Sequence, residues 1–291
     1  MPRIKKEAKT AYFLIAPAFT LFLVFSLYPL LWSARISFTS WDGLNATKKF
    51  IGTKNYSELL RNPEFLQSFR VTVVYVFVVT VCSTVIGFLL ALALSKRMKS
   101  SAIYRTIFFS PVVTATVAAG VVWQLLFDPF SGLFNIALRA IGIEGPNWLG
   151  DPKWSLIAVS IVGIWKRIGF AMIIFAAGIA SLPISCYEAA KVDGATGIKL
   201  IRYMTIPLLK PVTAVVAITG VIDSIQVFDH IFVMTNGGPM GSTNVLSMYL
   251  YNQGFRVFHL GMASAVGWLL FALILIVTAF QWQFTKGAEN D

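Results

Sequence analysis

The chain has 291 residues, 57% of them hydrophobic and only 13% charged, with a mean hydropathy of +0.73 and a formal net charge of +11. A soluble domain is normally about a quarter charged, so this composition excludes a soluble globular enzyme and marks an integral membrane protein, which the helical spans below make all-α. The basic residues flank apolar runs, so they read as membrane orientation and contact with anionic lipid rather than as a nucleic-acid surface.

A bilayer core of roughly 30 Å needs about 20 helical residues. After a polar tail over residues 1–10, six stretches meet that length: Ala11–Trp32, Val71–Leu94, Ile107–Phe127, Leu156–Ala180, Val212–Met234 and Met262–Phe284. Each must be helical, because lipid offers no partner to backbone N–H and C=O groups. The first run contains Pro17 and Pro29, exceeds a signal-peptide core and lacks a small-residue cleavage site, so it reads as a retained span. With the N-terminus inside, the inner segments hold thirteen Lys and Arg against nine outside. That bias places both termini, residues 1–10 and 285–291, in the cytoplasm. The first outer loop, with Arg35, Lys48, Lys49 and Lys54, runs against it.

Span four carries Lys166 and Arg167 near its middle, and span five carries Asp223, Gln226 and His230 at i, i+3 and i+7. On one continuous helix these three share a face, with Asp229 roughly a third of a turn away. Ionisable groups inside a membrane mark a functional pathway. Lys166, Asp223, Gln226, His230 and Trp268 are therefore expected along it, where Asp223, Gln226 and Lys166 would bond hydroxyl groups. An internal ion pair, such as Lys166 with Asp223, fits equally well. Trp123, Trp165, Phe170 and Trp268 suit either ring stacking or ordinary packing.

Between spans four and five lies a polar island, 182–211. Pro183 stops span four, and Ser185 stands three residues before Glu188, the spacing of a capping box. Ala189 and Ala190 favour helix, Gly194 is a natural C-cap, and Thr196 can cap a second helix running toward Thr205. Pro207 and Pro211 then start span five. Local physics leaves open whether this is a docking element or only a connector.

Cys82 and Cys186 belong to different depths, so no disulfide is expected. No cysteine–histidine cluster suggests a metal. No catalytic constellation appears, and Gly194–Lys199 lacks the spacing of a phosphate loop.

Glu188-Ala189-Ala190-x-x-Asp193-Gly194-Ala195, followed by Ile206-Pro207-Leu208, resembles the EAA loop of the membrane subunits of binding-protein-dependent ATP-binding-cassette importers. The Asp-Gly-Ala form is similar to that of the maltose-type carbohydrate permeases. Asn55-Tyr56, Gly132-Leu133-Phe134-Asn135, Trp148-Leu149, Thr235-Asn236-Gly237-Gly238-Pro239, Tyr249-Leu250-Tyr251 and Phe255 agree in order along nearly the whole chain. Ile201, Met204 and Ile206 depart from the family's usual residues, conservatively. The resemblance implies a type I importer permease: a domain over 11–284 with a core from about 71 and a cytoplasmic coupling helix between helices 4 and 5. It implies that Glu188, Ala189, Ala190, Asp193, Gly194, Ala195 and Pro207 meet an ATPase, and that Asn236, Gly237, Gly238 and Pro239 receive a solute-binding protein. The implied partners are a second homologous permease chain forming a heterodimer with this one, two ATPase subunits that use ATP and Mg, and an extracellular or periplasmic solute-binding protein. The chain itself would bind no cofactor and catalyse nothing, in the cytoplasmic (inner) membrane of a bacterium or archaeon. The implied cargo is a sugar or oligosaccharide. Lys166 and Arg167 would equally suit an anionic solute such as a glycerophosphate derivative or a uronate, and Asp223 with Asp229 would suit an ion-coupled secondary transporter.

Overall fold

The computed structural model describes residues 2–95, 101–192 and 194–287. Among them the secondary structure is helical apart from an isolated bridge between Thr39 and Phe50. Four helices are long and apolar enough to cross a membrane: Ala11–Ile36, Pro63–Ser95, Pro152–Ala180 and Leu260–Gln281. Two bent pairs, Ala102–Val113 with Thr116–Leu126 and Ile198–Leu208 with Lys210–Ile225, raise the number to six if each counts as one span.

The chain forms two units. The first takes residues up to Asn62 together with Leu250–Leu269. It contains α1 (Pro2–Phe22), a π-turn over Leu23–Leu27, α2 (Tyr28–Ile36) and α3 (Lys54–Leu59). Pro29 is tolerated because it falls in the first turn of α2. The end of α2 is tied down by buried Asn55, whose amide donates to Ser37 O at 2.7 Å and Thr39 O at 3.0 Å. Tyr56 donates to Ser37 Oγ at 2.7 Å. Trp268 belongs here, its indole N–H donating to Ser33 Oγ at 3.2 Å.

The second unit takes Pro63–Tyr249 and the chain from Leu270 onward. It contains α4 (Pro63–Ser95), α5 (Ser101–Val113), α6 (Thr116–Leu126), α7 (Leu133–Ala140), α8 (Pro152–Ala180), α9 (Ile184–Val192), α10 (Ile198–Leu200), α11 (Ile206–Leu208), α12 (Lys210–Ile225) and α13 (Asp229–Met234). Two last helices, α14 (Leu246–Tyr251) and α15 (Leu260–Gly287), divide between the units. Helix α8 begins where Asp151 accepts the Lys153 N–H at 2.9 Å, with Pro152 in the first turn. Its partners approach over small residues, as lipid-embedded helices require. A Cβ at Gly87 would sit 2.6 Å from Ala171 Cβ, and one at Gly169 would overlap the Phe108 carbonyl oxygen. Around these approaches Ala91, Leu94, Met172, Phe175, Leu209 and Val216 form the apolar core.

Two expected spans are not single helices. Span three bends by 101° between α5 and α6. Pro111 removes the N–H that would reach Ile107 O, and the Ser110 hydroxyl takes that carbonyl instead at 2.9 Å. Thr114 then donates to Pro111 O at 2.7 Å, and Ala115 is extended (ψ 122°). Span five, expected over Val212–Met234, ends its helix at Ile225 and resumes at Asp229. The Val227 carbonyl freed by this gap accepts the Ser247 hydroxyl. Asp223, Gln226 and His230 therefore do not share one helical face.

Gly169→Ala should lower stability by roughly 1–3 kcal/mol, because the backbone of α5 must retreat to admit one methyl. Thermal unfolding of the detergent-solubilised protein checks this, and an unchanged midpoint would refute the tight α5–α8 approach.

Candidate functional site

The two helix breaks meet around a cavity of about 330 Å³ lined by Tyr75, Lys166, Arg167, Phe170, Asp223, Gln226, Asp229 and His230, among others. Four expected pathway residues, Lys166, Asp223, Gln226 and His230, are thus brought together although their helix is broken. Trp268 does not line this cavity; its indole serves Ser33 in the other unit.

An internal ion pair is present, but Asp223 meets Arg167 rather than Lys166. Lys166 donates to the Thr114 carbonyl at 2.6 Å, capping the backbone exposed by the bend in span three. Arg167 is the partner of Asp223, pairing through Nη1 to Oδ2. Its Nη2 donates to Val216 O and Thr219 Oγ1, both at 2.9 Å. The Arg167 side chain is 7% exposed and that of Asp223 65%, so a buried guanidinium holds a carboxylate that faces open space. Gly220 makes this possible, since a Cβ there would lie 3.1 Å from Arg167 Nε. His230 is buried, its Nε2 3.1 Å from the Tyr75 hydroxyl. Sequence reasoning missed Tyr75, which lies in an apolar run with no polar neighbour to flag it. Thr219, Gly220 and Asp223 on one face of a helix signal a place for a cation, but do not distinguish Arg167 from Lys166.

The remaining aromatic candidates pack on one another. Trp123 lies 5.5 Å from Trp165 and 5.8 Å from Phe134 between ring centroids. Phe127, Phe134 and Trp148 extend the cluster. Trp148 donates to Asn135 Oδ1 at 2.7 Å, and Asn135 Nδ2 donates to Pro129 O and Pro146 O. Nearby, the Ser131 N–H and hydroxyl and the Phe130 N–H hold the Asp128 carboxyl below the usual carboxylate range.

The polar island contains the expected helix, α9, but its start is Ile184 rather than a cap at Ser185, because the turn forms directly on Pro183, with Cys186 N–H reaching Pro183 O at 3.2 Å. At its other end Gly194 takes φ 81°, and Ala195 N–H returns to Ala190 O at 2.8 Å, a closure open to glycine. Asp193 lies outside the described residues. The second helix is capped by Gly197 rather than Thr196 and runs from Ile198 to Leu208 through a π-turn; at Gly197 φ is 54°, a conformation that a glycine adopts freely. Tyr187 and Thr205 hydroxyls meet at 2.9 Å and tie the two helices together. Glu188 and Ala189 are exposed and Ala190 is buried. Pro207 stands in the first turn of α11, and Pro211 in that of α12.

The loop after α13 is held from several sides. Asn236 and Gly237 have positive φ, and the Gly238–Pro239 bond is cis. Thr243 donates to Gly238 O at 2.8 Å, Gln67 to Met240 O at 3.1 Å, and Ser242 meets Ser155 at 2.7 Å. Met240 projects from it, 87% exposed.

The family model described as binding-protein-dependent transport system inner membrane component matches residues 83–287. The chain belongs to this family. It is therefore a multi-pass, non-catalytic permease subunit of an ATP-binding-cassette importer, a family with no cofactor of its own, which sets aside the ion-coupled alternative. The permease is 36% identical over 273 residues to the trehalose/maltose transport system permease protein MalF of Thermococcus litoralis, covering 94% of this chain and 92% of that one. It is 32% identical over 276 residues to the sn-glycerol-3-phosphate transport system permease protein UgpA of Brucella abortus, covering 94% of each. A chain in the crystal structure of a bacterial alginate ABC transporter, in complex with an alginate pentasaccharide-bound periplasmic protein, shares the fold. The TM-score is 0.84 at 23% identity, over 96% of this chain and 94% of that one.

Replacing Asp223 by Ala strands a buried guanidinium and should destabilise the permease by roughly 1–3 kcal/mol. Adding Arg167→Met should recover most of that loss, since apolar replacement of a buried pair is commonly neutral. Denaturation midpoints of the two variants decide the point: equal midpoints for Asp223→Ala and the parent would mean that the pair holds nothing together.

Proposed function

We propose that this permease forms, with a second homologous permease chain, the translocation pathway for a neutral sugar or oligosaccharide handed over by an extracellular or periplasmic solute-binding protein. The carrying observation is the charge balance of the cavity. Arg167 is matched by Asp223, and Lys166, already bonded to Thr114 O, faces the further carboxylate of Asp229 across the same cavity. An anion would have to compete with those carboxylates. Hydroxyl groups would instead bond to Asp223, Gln226 and Asp229, which are all exposed to the cavity.

On this reading residues 1–10 and 285–291 are cytoplasmic tails, 11–284 the permease domain, and 182–211 the coupling loop. Two partner ATPases bind and hydrolyse ATP with Mg. Support for the coupling role comes from the shape of the loop. Glu188 stands exposed on a helix closed at Gly194, and apolar side chains at Val192 (88% exposed), Ile198 and Tyr203 surround a surface fit for a groove. The Tyr187–Thr205 bond makes the helix pair a stiff lever, and α12 carries the motion from Leu209 to Asp223. Asn236–Pro239 and the projecting Met240 would receive the binding protein, their backbone already fixed by Gln67, Ser155 and Thr243.

Glu188→Lys should reduce solute-stimulated ATP hydrolysis and uptake at least tenfold, with the permease still inserted. Full stimulation in the purified variant complex would remove the coupling assignment. Gln226→Ala deletes one bond to a hydroxyl and should raise the KM of uptake on the order of tenfold, leaving thermal stability within error. Transport in proteoliposomes supplied with the loaded binding protein reads this out, and a KM equal to that of the parent would place the solute elsewhere.

A further inference from the structure

A second pocket, of about 370 Å³, lies at the C-terminal end of the first membrane helix. Its geometry begins with a short antiparallel contact: Ser40 N–H bonds to Lys49 O at 3.0 Å and Ile51 N–H to Phe38 O at 2.9 Å, on either side of the Thr39–Phe50 bridge. This folds Lys48 back over the helix end. Its ammonium sits between two indoles, 4.5 Å from the Trp32 ring centroid and 4.2 Å from that of Trp41. Arg35 approaches the same Trp32 ring, 5.9 Å from its centroid. Two cations thus converge on one indole at the level where a span meets water, the depth that tryptophan favours.

Neither cation forms an ion pair among the described residues. The nearby carboxylate, Asp42, is occupied by its own turn, accepting from the Leu44 and Asn45 N–H groups and from the Asn45 amide. The wall beneath the cations is apolar, made by Ile36, Phe38 and Phe50, and Phe50 is 74% exposed. Along the adjoining helix Leu31, Tyr28 and Phe25 are exposed as well.

We propose that the pocket of Trp32, Arg35, Ile36, Phe38, Lys48 and Phe50 binds the phosphate headgroup of an anionic phospholipid. The cations hold the phosphate, and the acyl chains descend over Phe50 and the exposed face of α2. A soluble acidic protein surface would satisfy the cations but would leave Phe50 and the helix face without an apolar partner. A lipid satisfies both. The site gives a role to two cations, Arg35 and Lys48, of the basic first loop, which opposes the orientation bias of the rest of the chain.

The test is native mass spectrometry of the full-length chain within its detergent-purified transporter complex, titrated with phosphatidylglycerol and, separately, phosphatidylcholine. Each basic side chain near an anionic surface is worth about fivefold in affinity. Arg35→Gln with Lys48→Gln should therefore weaken phosphatidylglycerol binding on the order of 25-fold relative to phosphatidylcholine. The charge-keeping pair Arg35→Lys with Lys48→Arg should retain the preference. Lys48→Gln alone, at an exposed side chain, should show about a fivefold loss if the double variant fails to assemble. Unchanged lipid preference in the Gln variants overturns the proposal. So does an affinity for free glycerol 1-phosphate equal to that for phosphatidylglycerol, which would mark a site for a soluble anion. Loss of solute-binding-protein docking with lipid preference intact would assign the pocket to that protein and likewise overturn it.

Discussion

The structure depends on one constraint: a backbone carbonyl released inside a membrane must find another donor. Around the cavity the second unit breaks its helices after Val113 and after Ile225. At each break a side chain supplies the missing hydrogen bond. Ser110 serves Ile107 O, Lys166 serves Thr114 O, and Ser247 serves Val227 O. The breaks tilt short helix segments apart and leave room between them. The cavity and its polar lining are two results of the same departures from a straight helix.

A second consequence is that charge can be held there. Arg167 would be costly in lipid, but it lies against α12 with three acceptors and the face of Phe170 at 5.6 Å. Gly220 contributes beside Asp223, because a Cβ there would crowd the guanidinium at 3.1 Å. The helix that receives Arg167 also leads back through Leu209 to the island at 182–211. In the proposed mechanism this connection lets an event at Glu188 alter the surroundings of Asp223, since α12 is packed through Leu209 and Val216 into the core made by α4 and α8.

The island was largely legible. Gly194 does close α9 and Pro211 does open the helix of span five, whereas Pro207 lies near the end of the preceding helix, because capping and proline geometry are properties of four or five neighbouring residues. Ser185 and Thr196 failed as caps for an equally local reason: Pro183 and Gly197 supply helix starts that leave those hydroxyls out of position. The ordered motifs were also legible, and several now have structural reasons. Asn55 secures the end of the first span, and Asn135 with Trp148 closes the loop before α8. Trp268 does not line the cavity, and its bond to Ser33 was not legible because Ser33 is far away in sequence.

By itself, then, the sequence determined the membrane class, the six apolar stretches, the helical island and the family, since each is written in composition or in short ordered runs. Tertiary structure alone decided which cation meets Asp223. Lys166 and Arg167 are neighbours, about 100° apart around α8, and both suit an acid. The choice falls to the rotation of α8, set by its close contacts at Gly163 and Gly169 with α4 and α5. Those contacts point Arg167 into the space above Gly220 and leave Lys166 to the broken end of α5. Helix rotation is a property of packing between distant segments, which no local pattern of residues encodes.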